Sequence, residues 1–157
     1  MNGPFQGNKS GIVIAKFVKD ELFPLLDHIR DLSISVSQLK VGFFDSFLRI
    51  ALNKQESSYK DLSVKFITMY KKWNMPDLLY KEVKIDTNNP LEFGPAMNDY
   101  FNSQQAVMWH FNEGFRLLSY IDSVLTEQST ASYNRISVSL SLIAIVISVF
   151  LGIILKK

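Results

Sequence analysis

Along most of this chain, apolar residues recur in steps of three and four, the spacing of one face of an α-helix. The first series runs Ile14, Val18, Leu22, Leu25, Ile29, Leu32, Val36, Leu39, Phe43, Phe47 and Ile50, with Ser10 placed before it as an N-cap. A stripe of about forty residues is too long for an ordinary globular helix. Pro24 lacks a backbone donor and should kink or split it, and the serine-rich 33–37 stretch or Gly42 offers a second break. A kinked long helix or a pair is expected. A second series, Tyr59, Leu62, Phe66, Met69 and Trp73, keeps the same spacing. Pro76, Asn88–Asn89–Pro90 and Gly94–Pro95 then interrupt it, predicting a short helix around 77–82 between turns and a new helix opening at Pro95. Its stripe is Met97, Phe101, Gln104, Met108, Phe111, Phe115, Leu118 and Leu125. No alternating pattern longer than Val83–Asp86 argues for a strand.

The chain ends differently. Residues 136–155 read ISVSLSLIAIVISVFLGIIL, twenty positions without a charge. At about 1.5 Å per residue such a helix is roughly 30 Å long, the thickness of bilayer hydrocarbon. Fourteen of the twenty are Ile, Leu, Val or Phe, and at about −0.3 to −0.6 kcal/mol each they favour insertion by something like 4–8 kcal/mol. Four serines oppose this weakly, because their hydroxyls can bond back to the helix's own carbonyls. Arg135 on one side and Lys156 and Lys157 on the other stand where cations snorkel to the two interfaces. Ser137, Ser141, Ala144, Ser148 and Gly152 fall within about an 80° arc, a small-residue face on which two helices could approach closely.

The expected fold is therefore all-α: an up-and-down bundle of about four helices followed by one C-terminal transmembrane helix. Residues 1–9 are expected to be a flexible N-terminus, 10–127 the bundle, 128–135 a polar connector and 136–157 the anchor with its dilysine end. The connector, QSTASYN plus Arg135, contains neither Gly nor Pro, so the last bundle helix can run into the anchor unbroken.

Charge and composition narrow the function. The net charge of +2 comes entirely from Lys156 and Lys157, and a domain neutral through residue 135 lacks the basic footprint of a nucleic-acid binder. Basic residues do concentrate between 40 and 72, and acidic ones between 76 and 127. That division suits two neighbouring helices of opposite sign, or a basic face resting on anionic lipid. The absence of cysteine removes disulfides and thiolate metal sites. No export signal is recognisable before Lys16. The bulk of the chain is thus expected on the cytoplasmic side of a membrane that it crosses once.

Candidate chemistry is sparse. His28 with Asp31 and His110 with Glu113 each share a helix face, but the order is the reverse of the Glu-x-x-His pairs of di-iron bundles, and ordinary surface hydrogen bonds are expected instead. Gln104 is the lone polar member of its stripe. A stripe glutamine ahead of a terminal anchor resembles the SNARE plan, but Pro95 ends the pattern well short of that family's long motif, and no role is carried over. There is no phosphate-binding loop, nucleophile elbow or H-E-x-x-H. With neither cofactor nor metal indicated, Trp73 and Trp109 are assigned to the core and no enzyme activity is expected. The partners expected are the bilayer and either a protein or further copies of the chain. The leading function is a membrane-anchored helical interaction or scaffold protein that self-associates through the anchor. A pore-forming, membrane-permeabilising effector and an accessory subunit of a larger membrane complex are the alternatives.

Overall fold

The computed structural model describes residues 9–74 and 88–155, and within them every regular element is helical. Helix α1 (Lys9–Phe17) passes through a π-helical turn (Val18–Leu22) into α2 (Phe23–Ser37). A short α3 (Phe43–Leu48) and the long α4 (Ile50–Asn74) follow, and α5 runs unbroken from Pro90 to Ile154. The short helix expected around 77–82, the N-terminal residues before Lys9, and Lys156–Lys157 lie outside the described residues.

Pro24 does what its missing donor dictates, by a specific route. It stands in the first turn of α2, where no N–H is required, and the π turn lies just ahead of it. There the Phe23 amide donates to the Val18 carbonyl, five residues back. The extra residue in that turn absorbs the break, so α1 and α2 continue as one rod. The rod ends at the serine-rich stretch, where the Ser33 and Ser37 hydroxyls donate to the carbonyls three residues before them.

The opening of α5 differs from expectation. It starts at Pro90, five residues before Pro95, because Asn89 is a better cap than Gly94. Asn89 is extended, as the residue before a proline prefers, and its side chain accepts from the Leu91 amide at 3.1 Å. Pro95 falls inside the helix, in its second turn, where one intrahelical bond is forgone.

The core lies between the α1–α2 rod, α4 and α5. Ile14, Phe17, Leu22, Leu25, Leu26, Ile29, Leu32 and Val36 face Phe66 and Trp73 of α4 and Tyr100, Val107, Phe111, Leu118, Ile121 and Leu125 of α5. Aromatic rings carry much of the packing. Trp73 stacks on Phe17 with centroids 5.4 Å apart and contacts Tyr100 at the same distance, while Phe66 and Tyr70 meet Phe111 and Phe115 edge-on. The Tyr100 hydroxyl donates to the Trp73 carbonyl at 3.0 Å, and burial pushes its pKa up. Contacts along the rods give their directions. Lys72 meets Glu21 and Trp73 meets Phe17 at one end, while Gln55 meets Ser35 and Ser46 meets Ser132 toward the other. The chain therefore runs down, up and down, and α5 leaves the bundle at the end where α3 sits.

On α5 the buried face is rotated from the expected stripe in its first turns. Tyr100 and Val107 are buried, whereas Phe101 is exposed and Met108 only half-buried. Trp109, assigned to the core from sequence, is 61% exposed. The rotation brings Gly114 inward. A Cβ there would come within 2.2 and 2.4 Å of the Phe66 ring and 2.9 Å of Leu26 Cδ2, so only glycine lets that ring lie on the α5 backbone.

Gly114→Ala sets two effects against each other: about 1 kcal/mol of helix propensity gained and roughly 1–3 kcal/mol of overpacking incurred. The overlap with a fully buried ring decides the sign, and the variant should be destabilised. Thermal unfolding of the full chain in detergent should show a lower Tm. A raised Tm would mean that Phe66 swings aside freely.

Candidate membrane anchor and its junction with the bundle

From Leu140 onward, every residue of α5 is exposed. The helix is long and apolar enough to cross a membrane, and none of the window that makes it so is buried. Ile143, Ile145, Val146, Ile147, Val149, Phe150 and Leu151 are each more than half exposed, on every side of the helix. A helix that is apolar all round suits a membrane span or the middle of a large core, and here the bundle does not cover it.

The five small residues of the expected association face, Ser137, Ser141, Ala144, Ser148 and Gly152, are all exposed. Ser141 Oγ donates to the Ser137 carbonyl at 2.9 Å and Ser148 Oγ to the Ala144 carbonyl at 2.8 Å. Ser139 does the same toward Arg135. The hydroxyls of Ser139, Ser141 and Ser148 are thus satisfied within their own helix, which lowers the cost of placing them in hydrocarbon. A Cβ at Gly152 would meet nothing within 4 Å, so that side of the helix is open.

The stretch read as a connector, 128–135, is an uninterrupted part of α5 and is packed against the corner between α2 and α4. Ser132 is buried, and its hydroxyl donates to the Ser46 carbonyl at 2.9 Å. Arg135 donates a guanidinium hydrogen to the Val41 carbonyl, 94 residues away in sequence. Ser46 Oγ donates to the Gly42 carbonyl and closes the first turn of the corner.

Arg49 is the centre of this junction. It sits between α3 and α4 with φ of 50°, a left-handed conformation that costs a non-glycine residue roughly 1–2 kcal/mol. Its side chain holds it there. Nη2 lies 3.0 Å from Glu56 Oε1 and 3.2 Å from Ser129 Oγ, and the guanidinium carbon sits 4.7 Å above the Tyr133 ring. Nη1 is buried with no hydrogen-bond partner. One cation therefore ties the start of α4 to two turns of α5 just ahead of the anchor.

The histidines do not converge on a site. His28 is exposed, and no group of three or more metal-ligating side chains occurs among the described residues. Glu113, the partner suggested for His110, faces Arg30 at 3.6 Å and Arg116 at 3.9 Å. The His110 ring meets the edges of Phe23 and Trp109. It also lines an open groove of about 720 Å³ between α1, the π turn and α5, walled by Ile14, Val18, Phe23 and Val107. Gln104 is half-buried on the same helix. Opposite charges do face each other across elements, through Arg30–Glu113 and Lys72–Glu21, so the first rod mediates between the basic and acidic stretches. Tyr59 of α4 also approaches Asp122 of α5. Its pKa is raised, first by burial and then by that carboxylate.

No family model, no curated protein and no solved structure matches this chain.

Replacing Arg49 separates backbone strain from side-chain contacts. Arg49→Ala loses the contacts and keeps the left-handed strain, whereas Arg49→Gly loses the contacts but relieves the strain. Chemical unfolding should find the glycine variant more stable than the alanine variant by about 1 kcal/mol. Equal stabilities would mean that the corner relaxes out of the left-handed region once the guanidinium is gone.

Proposed function

We propose that this chain is a membrane-anchored helical interaction or scaffold protein, held to a bilayer by residues 136–155 and presenting its bundle at the surface. The reading is carried by α5: a single 65-residue helix supplies one wall of the core and the entire exposed apolar segment. Because residues 128–135 are helical and docked at Ser132 and Arg135, tilt or rotation of the anchor is passed to the bundle as a rigid-body motion. A floppy linker would only keep the bundle nearby.

Such a coupling suits a protein whose position or self-association is read by a partner. No acid–base or nucleophilic grouping is needed for that role. The Ser137, Ser141, Ala144, Ser148 and Gly152 face is the surface on which a second anchor would pack. Since the Ser141 and Ser148 hydroxyls are turned back to their own carbonyls, the face is dressed for close helix packing more than for lining water. This supports the scaffold reading over a serine-lined pore. The bundle is placed on the cytoplasmic side in this proposal.

Ser148→Leu and Gly152→Leu each put a bulky side chain on that face without adding polarity. Chemical crosslinking in native membranes should show the oligomer bands of the parent chain weakened in both variants. Unchanged bands in both would remove self-association through the anchor while leaving the tether itself intact.

A further inference from the structure

The corner that carries α3 is placed where a bilayer surface would be. Three tethers fix its height along α5: Val41 beside Arg135, Ser46 beside Ser132, and Arg49 beside Ser129. At about 1.5 Å per residue, these positions lie within roughly 10 Å of Ile136, where the uncharged segment begins. A headgroup layer is roughly 5–8 Å deep on each side of the hydrocarbon, so α3 sits at or just above it.

The residues exposed at this height have the chemistry of an interface. Leu48 is 65% exposed and Ile50 67%, and Phe47 beside them is 43% exposed. The exposed Tyr133 ring lies under Arg49, at the depth where aromatic side chains collect in membrane proteins. Lys40 and Lys54 are exposed on the flanks and can reach lipid phosphates. In water, two large aliphatic side chains held out by a strained left-handed residue would be a liability. In a headgroup layer they are covered, one at the end of α3 and the other at the start of α4.

We propose that the α3 corner is a second membrane contact: Leu48 and Ile50 reach into the headgroup layer of the leaflet that faces the bundle, with Lys40 and Lys54 pairing with lipid phosphates. The occupant of this exposed apolar patch is lipid, by its continuity with the anchor. The contact fixes the tilt of the bundle at two points rather than one. It rests on the reading of residues 136–155 as a span, and the experiment separates the two.

The chain has no cysteine, so single labels are unambiguous. Leu48→Cys, Ile50→Cys, Val146→Cys and Ile67→Cys carry an environment-sensitive fluorophore in the full chain, reconstituted in phosphatidylcholine–phosphatidylglycerol vesicles. Ile67 is an exposed aliphatic residue about 25 Å farther up α4. Val146 should emit at short wavelength and be quenched by a deep nitroxide lipid. Leu48 or Ile50 should be blue-shifted and quenched by a shallow one, with neither effect at Ile67. Water-like emission at both Leu48 and Ile50 beside a lipid-like Val146 overturns the second contact and leaves the anchor standing. Water-like emission at Val146 overturns both.

Discussion

About 30 Å of helix without a single charge, exposed along its length, is the constraint on which the rest of the structure turns. The described bundle spends its apolar residues on itself: Leu22, Leu26 and Ile29 from one rod meet Phe66 and Trp73 from α4 and Phe111 and Ile121 from α5. Among the described residues, none covers Ile143 through Leu151. A helix satisfies its own backbone donors and acceptors, and Ser139, Ser141 and Ser148 satisfy their hydroxyls as well, so hydrocarbon would leave none of these groups in deficit. The rest of the architecture follows from that placement. The same helix must be polar-faced and core-building above Arg135 and uniformly apolar below it, and the transition is made without a hinge.

The transition is stabilised by unusually local means. Between Leu125 and Ile136, α5 has no large apolar side chain to bury, and serine hydroxyls and two arginines take over the role. Ser132 continues the seven-residue step of Phe111, Leu118 and Leu125, so the packed face of α5 extends two turns further in polar form. Arg135 and Arg49 then cap carbonyl, carboxylate and hydroxyl groups of the corner in place of a hydrophobic contact.

Much of this was legible in the residues. The stripes through Ile14–Val36 and Tyr59–Trp73 are the buried faces of their helices, and the charge-free run 136–155 is the segment left bare. The errors have physical causes. Pro95 looked like a helix start because Gly94 precedes it, but the Asn89 side chain caps the helix five residues earlier. The stripe's spacing places Phe101 inward and aromatic character places Trp109 there, whereas Phe66 lies against Gly114 on the face of α5 that packs and both residues are turned out. The junction was the least visible part. No local pattern announces that Arg49 adopts a left-handed conformation or that Arg135 reaches Val41, since both depend on partners from 80 to 94 residues away. The heptad step to Ser132 was the one available clue.

The account depends on residues 136–155 residing in a bilayer as an integral segment. Alkaline carbonate extraction of membranes from cells expressing the full chain addresses this most directly, because it strips peripheral proteins and leaves spans in place. The chain should remain entirely in the membrane pellet and be released only by detergent. Recovery in the carbonate supernatant, or in the soluble fraction without detergent, would contradict the anchor and every functional reading built on it.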